Sequence, residues 1–227
     1  MEDQRDGFGQ NFGYIVYRKY VPKFSTLKII GRMEDRLQIL IDGRRHDKVL
    51  DWTSQTYNID VSSYHLKEAN HTLDILVENL GRVNYVVKGS NIMNQQRKGI
   101  LGEIALDGSM VYDWTIYPLM FNHRFITKIY VHDKYQPLSS LAKPPCLFRT
   151  NLMIGGLPKD TFLKMEGWGK GTVFINGYHL GRYWNIGPQK TLFVPAPYLK
   201  SGSNLIIVFE EEKKGEYISF IDHPVLS

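Results

Sequence analysis

Short apolar runs alternate with polar turns along most of the chain. Residues 14–17, 27–30, 37–41, 73–77, 172–175, 191–194 and 205–209 each carry four or five mostly apolar side chains, rich in β-branched and aromatic types, and read as strands. Asp42-Gly43 and Asn176-Gly177 directly follow two of these runs and predict two-residue hairpin turns. Long helical periodicity is scarce. Strands at this spacing predict an all-β chain of sandwich or barrel type.

The pattern repeats. Gln38-Ile39-Leu40-Ile41-Asp42-Gly43 leads to Asn70 and then to Leu73, Ile75 and Val77; Thr172-Val173-Phe174-Ile175-Asn176-Gly177 leads to Asn204 and then to Leu205, Ile207 and Phe209. The turn glycine and the asparagine are 27 residues apart both times. Each closing strand sets its large apolar residues at odd offsets from the asparagine, so period-2 pleating puts each set on one face. Turn, spacing and phase together predict two related β-sandwiches in tandem. The first spans 1–120 and the second 147–227. Between them, 121–146 is less regular and ends in Pro144-Pro145, which bars helix and central strand; it reads as a linker.

Composition narrows the classes. The 227 residues are 43% apolar and 22% charged, which excludes a wholly disordered chain, and the 13% aromatic content suits β structure. No apolar run approaches the length of a membrane helix. The acidic segment 1–6 has no apolar stretch and is not expected to act as a secretory signal. Cys146 is the single cysteine, so neither an intrachain disulfide nor a cysteine zinc site is expected. The net charge of +5 falls entirely in residues 121–227, but as scattered basic residues rather than a stripe, so nucleic acid is not an expected partner. No membrane partner is expected either.

The chemistry-bearing residues are few. Glycoside hydrolysis needs two carboxylates about 5–5.5 Å apart in retaining enzymes. Glu34-Asp35, Glu103 with Asp107, and Glu210-Glu211-Glu212 are the pairs to consider, and all read as solvated surface acids. His46-Asp47, His132-Asp133 and Asp222-His223 lack a nucleophile on a Gly-x-Ser-x-Gly elbow and read as loop residues. No metal-ligand spacing occurs, and no cofactor is implied. Gly167-Trp168-Gly169-Lys170-Gly171 lacks phosphate-loop spacing and precedes a strand, so it reads as a glycine-rich β-turn. The densest candidate is 177–189. Aromatic faces there suit the C–H faces of sugars, while Arg, Asn and Gln suit hydroxyls; equally, Tyr183 and Trp184 suit the plugged end of a sandwich or a neighbouring domain. The candidate carbohydrate or interdomain contacts are Trp168, Asn176, Arg182, Tyr183, Trp184 and Asn185. Asn70-His71-Thr72 is a glycosylation sequon, which makes Asn70 a candidate acceptor if the chain is secreted.

The segment 167–177, continued by Leu180-Gly181-Arg182-Tyr183-Trp184, Gly187-Pro188-Gln189 and Leu192-Phe193-Val194-Pro195, resembles the C-terminal β-domain of glycoside hydrolase family 35 β-galactosidases. Gly13-Tyr14-Ile15-Val16-Tyr17-Arg18, the run 76–85 and Trp114-Thr115-Ile116-Tyr117-Pro118-Leu119 are similar to that family's first β-domain. The resemblance covers about residues 8–227 and extends to the animal β-galactosidase-1-like members. It implies two jelly-roll sandwiches of galactose-binding-like fold, without the TIM barrel that carries the family's two catalytic Glu residues. No catalytic residue is therefore expected here. The implied role is a non-catalytic accessory region, with structural support and carbohydrate contact. The implied partners are a TIM-barrel catalytic domain, a second copy by self-association, or galactosides. A stand-alone galactoside-binding lectin or a protein-interaction module is the alternative. The resemblance implies a family that is typically lysosomal or extracellular, and the compartment of this chain stays open.

Overall fold

The computed structural model describes residues 10, 12–51, 53, 56–67, 70–94, 96–131, 135 and 142–226. It divides into two compact units, residues 1–120 and 121–227. Each is built from antiparallel strands, because alternating apolar and polar side chains can bury one face only by stacking two sheets.

The first unit contains β1 (Gly13–Val21), β2 (Thr26–Glu34), β3 (Arg36–Ile41), β4 (Arg44–Arg45), β5 (Leu50–Asp51), β6 (Thr56–Asp60), β7 (His71–Asn79), β8 (Gly99–Leu106), β9 (Ser109–Met110) and β10 (Thr115–Leu119). One sheet runs β10-β1-β7-β3-β4, with β5 also on β3; the other runs β6-β2-β8-β9. The long strands alternate between sheets in chain order, the path of a jelly roll. Ile15, Leu27, Ile29, Leu37, Ile39, Ile75 and their neighbours fill the space between the sheets. Burying each such aliphatic side chain contributes about 1.5–3 kcal/mol.

The second unit contains a helix, α1 (His123–Val131), and β11 (Cys146–Ile154), β12 (Thr161–Lys164), β13 (Lys170–Ile175), β14 (Tyr178–Trp184), β15 (Thr191–Val194), β16 (Gly202–Glu210) and β17 (Ser219–Ile221). Its sheets run β11-β16-β13-β14 and β15-β12-β17. Leu163, Val173, Ile175, Leu192, Val194, Ile206 and Val208 form the core between them.

The repeat is visible in the sheets. The order β1-β7-β3-β4 in the first unit matches β11-β16-β13-β14 in the second. Both hairpin turns place their two central residues at positive φ, Asp42 at 50° with Gly43 at 73° and Asn176 at 52° with Gly177 at 84°, as a type I′ turn requires.

The closing strands are out of step by one residue. Ile41 pairs with Leu73, whereas the equivalent Ile175 pairs with Ile206. The core-facing equivalents of Leu73, Ile75 and Val77 are therefore Ile206, Val208 and Glu210. Ile207 and Phe209 lie on the opposite face, where Phe121 sits 5.1 Å from Phe209 and 5.6 Å from Phe174 between ring centroids. A register step of one reverses the face of every side chain, so the shared odd offsets mark different faces in the two units.

The segment read as a linker opens with Phe121 and α1. Asn122 caps the helix by accepting the Phe125 N–H at 2.9 Å, and Phe125 meets Phe121 edge-on at 5.5 Å. This part of the segment thus belongs structurally to the second unit; residues 132–134 and 136–141 lie outside the described residues. Among the described residues no helix is long and apolar enough to cross a membrane.

Candidate functional site

The glycine-rich turn 167–171 enters β13 beside the end of β16. Gly171 lies so close to β16 that a Cβ there would fall 1.9 Å from the Phe209 carbonyl oxygen, so only glycine fits. That approach seals Glu210, which is fully buried. Its Oε1 accepts from the backbone N–H groups of Lys170 (3.1 Å), Glu212 (2.6 Å) and Lys213 (3.0 Å). Its Oε2 accepts from the Gly169 N–H (3.1 Å) and the Tyr183 hydroxyl (2.7 Å). Burial raises the Glu210 carboxyl above the usual range, and the donors from Glu212, Tyr183, Lys170 and Lys213 offset only part of that rise. Burial, and then the neighbouring Glu210 charge, raise the Tyr183 phenol. The hydroxyl is therefore held as a donor.

Glu211 is buried next to it and pairs with Lys170 Nζ at 3.0 Å, both side chains at most 3% exposed. The Lys170 ammonium also lies 4.9 Å from the centre of the Trp184 ring. The first unit carries the same pair in the same register. Arg36 faces Glu78 across β3 and β7, 3.8 Å between Nη1 and Oε2, with both side chains at most 6% exposed.

These facts correct the reading of several acids as solvated. Glu210 and Glu211 are core groups. Asp35 is 6% exposed and binds Lys98 Nζ through both oxygens, at 2.6 and 2.8 Å. Asp107 instead caps the start of β2, its Oδ1 accepting from the Thr26 N–H at 2.8 Å. The exposed Glu103 lies on β8. Of the His–Asp pairs, His223 and Asp222 are an exposed contact at 2.7 Å. His46 lies at a turn, its Nδ1 accepting the Lys48 N–H, and His132-Asp133 lies outside the described residues. Among the described residues no group of three or more His, Cys, Asp or Glu could hold a metal ion.

The sequence-derived contact residues divide. Trp168 and Tyr183 are core residues, each 7% exposed; the Trp168 indole N–H donates to the Tyr217 carbonyl at 2.7 Å and its ring meets Phe148 edge-on. Asn176 is held at the hairpin by the Tyr198 carbonyl, Asn204 and the Leu205 N–H. Trp184 is half-buried beside Lys170. Arg182 and Asn185 are exposed, and the Asn185 backbone is pinned by Gly169 and Lys190. So Arg182 and Asn185 are exposed and Trp184 is half-buried along the C-terminal end of β14. Asn70 is exposed, directly before β7.

Reasoning from the sequence alone missed the Glu210 network. Its signal was the glycine spacing, with Gly169 and Gly171 opposite the acidic run, a sign of backbones in close approach.

The comparisons with known proteins agree with the two-unit layout. A family model described as "Beta-galactosidase, first all-beta domain" matches residues 6–120, and one described as "Beta-galactosidase, galactose-binding domain" matches residues 145–204. Human beta-galactosidase-1-like protein 2 is 41% identical over 97% of this chain and 32% of its own length. Human beta-galactosidase-1-like protein 3 is 35% identical over 97% of this chain and 32% of its own. Beta-galactosidase 17 of Arabidopsis thaliana is 35% identical over 96% of this chain and 34% of its own. The chain spans about a third of the length of these relatives.

Proposed function

The chain belongs to the β-galactosidase family through that family's first all-β and galactose-binding domains, and from this premise we propose that it is the non-catalytic accessory region of a β-galactosidase-like glycoside hydrolase. In this reading a catalytic domain elsewhere in the polypeptide does the hydrolysis, and the two sandwiches support it. The observation that carries the reading is the use of the buried carboxylates. Asp35, Glu78, Glu210 and Glu211 are each bound to a buried cation or to backbone donors, which suits structural groups and not an acid/base pair facing a substrate.

The test is hydrolysis of an aryl β-galactoside by the purified 227-residue chain. No product above the uncatalysed rate is expected. Galactose release that disappears when one of this chain's own carboxylates is changed to its amide contradicts the proposal.

A second reading, galactoside binding by the second unit, is favoured by the exposure of Arg182 and Asn185 near the half-buried Trp184 in sequence and by the name of the matched domain. The same preparation titrated with galactosides separates it. Saturable binding lost in Arg182→Ala supports it; no heat or shift at millimolar sugar rejects it.

A further inference from the structure

Both hairpin turns are fastened to their closing strands by the same latch, built from different chemistry. In the second unit the Asn176 N–H donates to the Leu205 carbonyl, and Asn176 Oδ1 accepts the Leu205 N–H at 3.0 Å. Asn176 Nδ2 then donates to Asn204 Oδ1 at 2.9 Å, and Asn204 Nδ2 donates to the Lys200 carbonyl at 2.7 Å. In the first unit the Asp42 N–H donates to the Thr72 carbonyl, and Asp42 Oδ1 accepts the Thr72 N–H at 2.9 Å. Asp42 Oδ2 lies 2.7 Å from His71 Nδ1, and His71 Nε2 lies 3.0 Å from the Lys67 carbonyl. Asp42 thus replaces Asn176, His71 replaces Asn204, and the contact four residues back replaces Lys200 with Lys67.

The substitution changes what the latch needs. Two asparagines satisfy it without ionising. A carboxylate and a carbonyl are both acceptors, so His71 completes its latch only when both ring nitrogens carry hydrogen. We propose that the Asp42–His71 latch is a proton-dependent clasp of the first unit, closed by the imidazolium and loosened by its deprotonation, while the Asn176–Asn204 latch is its pH-independent counterpart.

The surroundings favour this. His71 is 8% exposed, so water is a poor substitute for a partner lost by the ring, while the Asp42 side chain, 48% exposed, is open to solvent on its outer side. Among the described residues the charged side chain facing the ring is Asp42, on the β3–β4 turn, and the loop before β7 presents the Lys67 carbonyl. The Lys67 carbonyl first, and Asp42 second, raise the imidazole above its ordinary 6.5. His71 and the Thr72 N–H hold the Asp42 carboxyl below its ordinary 3.8. The signs give a window. The histidine contribution is complete below about pH 6.5 and is lost as pH rises through the folded midpoint. The aspartate contribution is complete above about pH 3.8 and is lost as pH falls through its own lowered midpoint. The clasp is tightest in weakly acidic solution.

The 227-residue chain labelled with 15N tests this by NMR. His71, identified by His71→Asn, is expected to lose its second ring proton at a midpoint above its ordinary 6.5. Amide-exchange protection factors at Asp42 and Thr72, corrected for intrinsic rate, are expected to fall between pH 5.5 and 8.5. The fall is about tenfold for each unit by which the folded midpoint exceeds the unfolded one. Asn176 and Leu205 in the same molecule are expected to hold steady. Asp42→Asn with His71→Asn, which installs the chemistry of the second unit, is expected to flatten the response. A His71 midpoint at or below 6.5, or parallel changes at the two latches, overturns the proposal. Both readings are made on the unmodified chain, with His71→Asn used only to assign the ring signals and the amide comparison needing no variant, so the test decides even if the double variant fails to fold.

Discussion

Glu210 shows how much one residue can hold in this fold. Where the first unit places Val77 toward its core, the second places a carboxylate, and four backbone N–H groups and a phenol converge on it. Such a group is costly to bury alone and stabilising when every lone pair is used. Its value lies in what its removal would leave behind. Glu210→Ala strands five donors in a closed space and is expected to destabilise the second unit by about 3–5 kcal/mol. Urea unfolding followed by tryptophan fluorescence, to which Trp168 and Trp184 of this unit contribute, reads this. A loss under about 1 kcal/mol would mean that water enters the cavity and replaces the carboxylate. This residue was misread from the sequence because three consecutive acids ordinarily mark a solvated turn. Only the glycines opposite them disclose how near the backbones come.

At the scale of elements, the repeat was legible and its phase was not. The dipeptides Asp42-Gly43 and Asn176-Gly177, the 27-residue spacing and the apolar alternation announced two hairpins and two closing strands, and all seven runs read as strands are strands. The one-residue step between Leu73 and Ile206 was hidden, because β16 is apolar on both faces and alternation has no contrast there. The second apolar face exists because Phe121, in the segment read as a linker, covers Phe174 and Phe209. Helix α1 was missed because nine residues are too short a stretch for a helical period to be told from chance. The part shared by both elements is the latch at the turn. Asn176→Ala removes its bonds to Tyr198, Asn204 and Leu205 and places a methyl side chain at positive φ. A loss of about 1–3 kcal/mol is expected, with amide exchange rising first at Leu205 and along the start of β16. Unchanged exchange there would mean that the strand pairing alone holds the turn.

For the whole molecule, the two sandwiches share sheet order, turn type, latch and buried ion pair, with Arg36–Glu78 matching Lys170–Glu211. Buried pairs of this kind suit unique register more than raw stability, as in other proteins where a polar core group selects one pairing. Each sandwich is locked in register by its own pair, which suits the accessory role proposed for the chain. The fold class and the family resemblance were readable from motifs spread over the chain. The placement of the candidate contact residues was not, because burial of Trp168 and Tyr183 depends on partners far away in sequence, such as Tyr217 and Glu210. The central claim, that the chain is one part of a larger glycoside hydrolase, is tested most directly by the mass of the native polypeptide in its source tissue, detected with an antibody against residues 145–204. The account predicts a species about three times the 26.3 kDa of this chain, in line with relatives of which it spans about a third. A single species at 26.3 kDa with no larger precursor would contradict it.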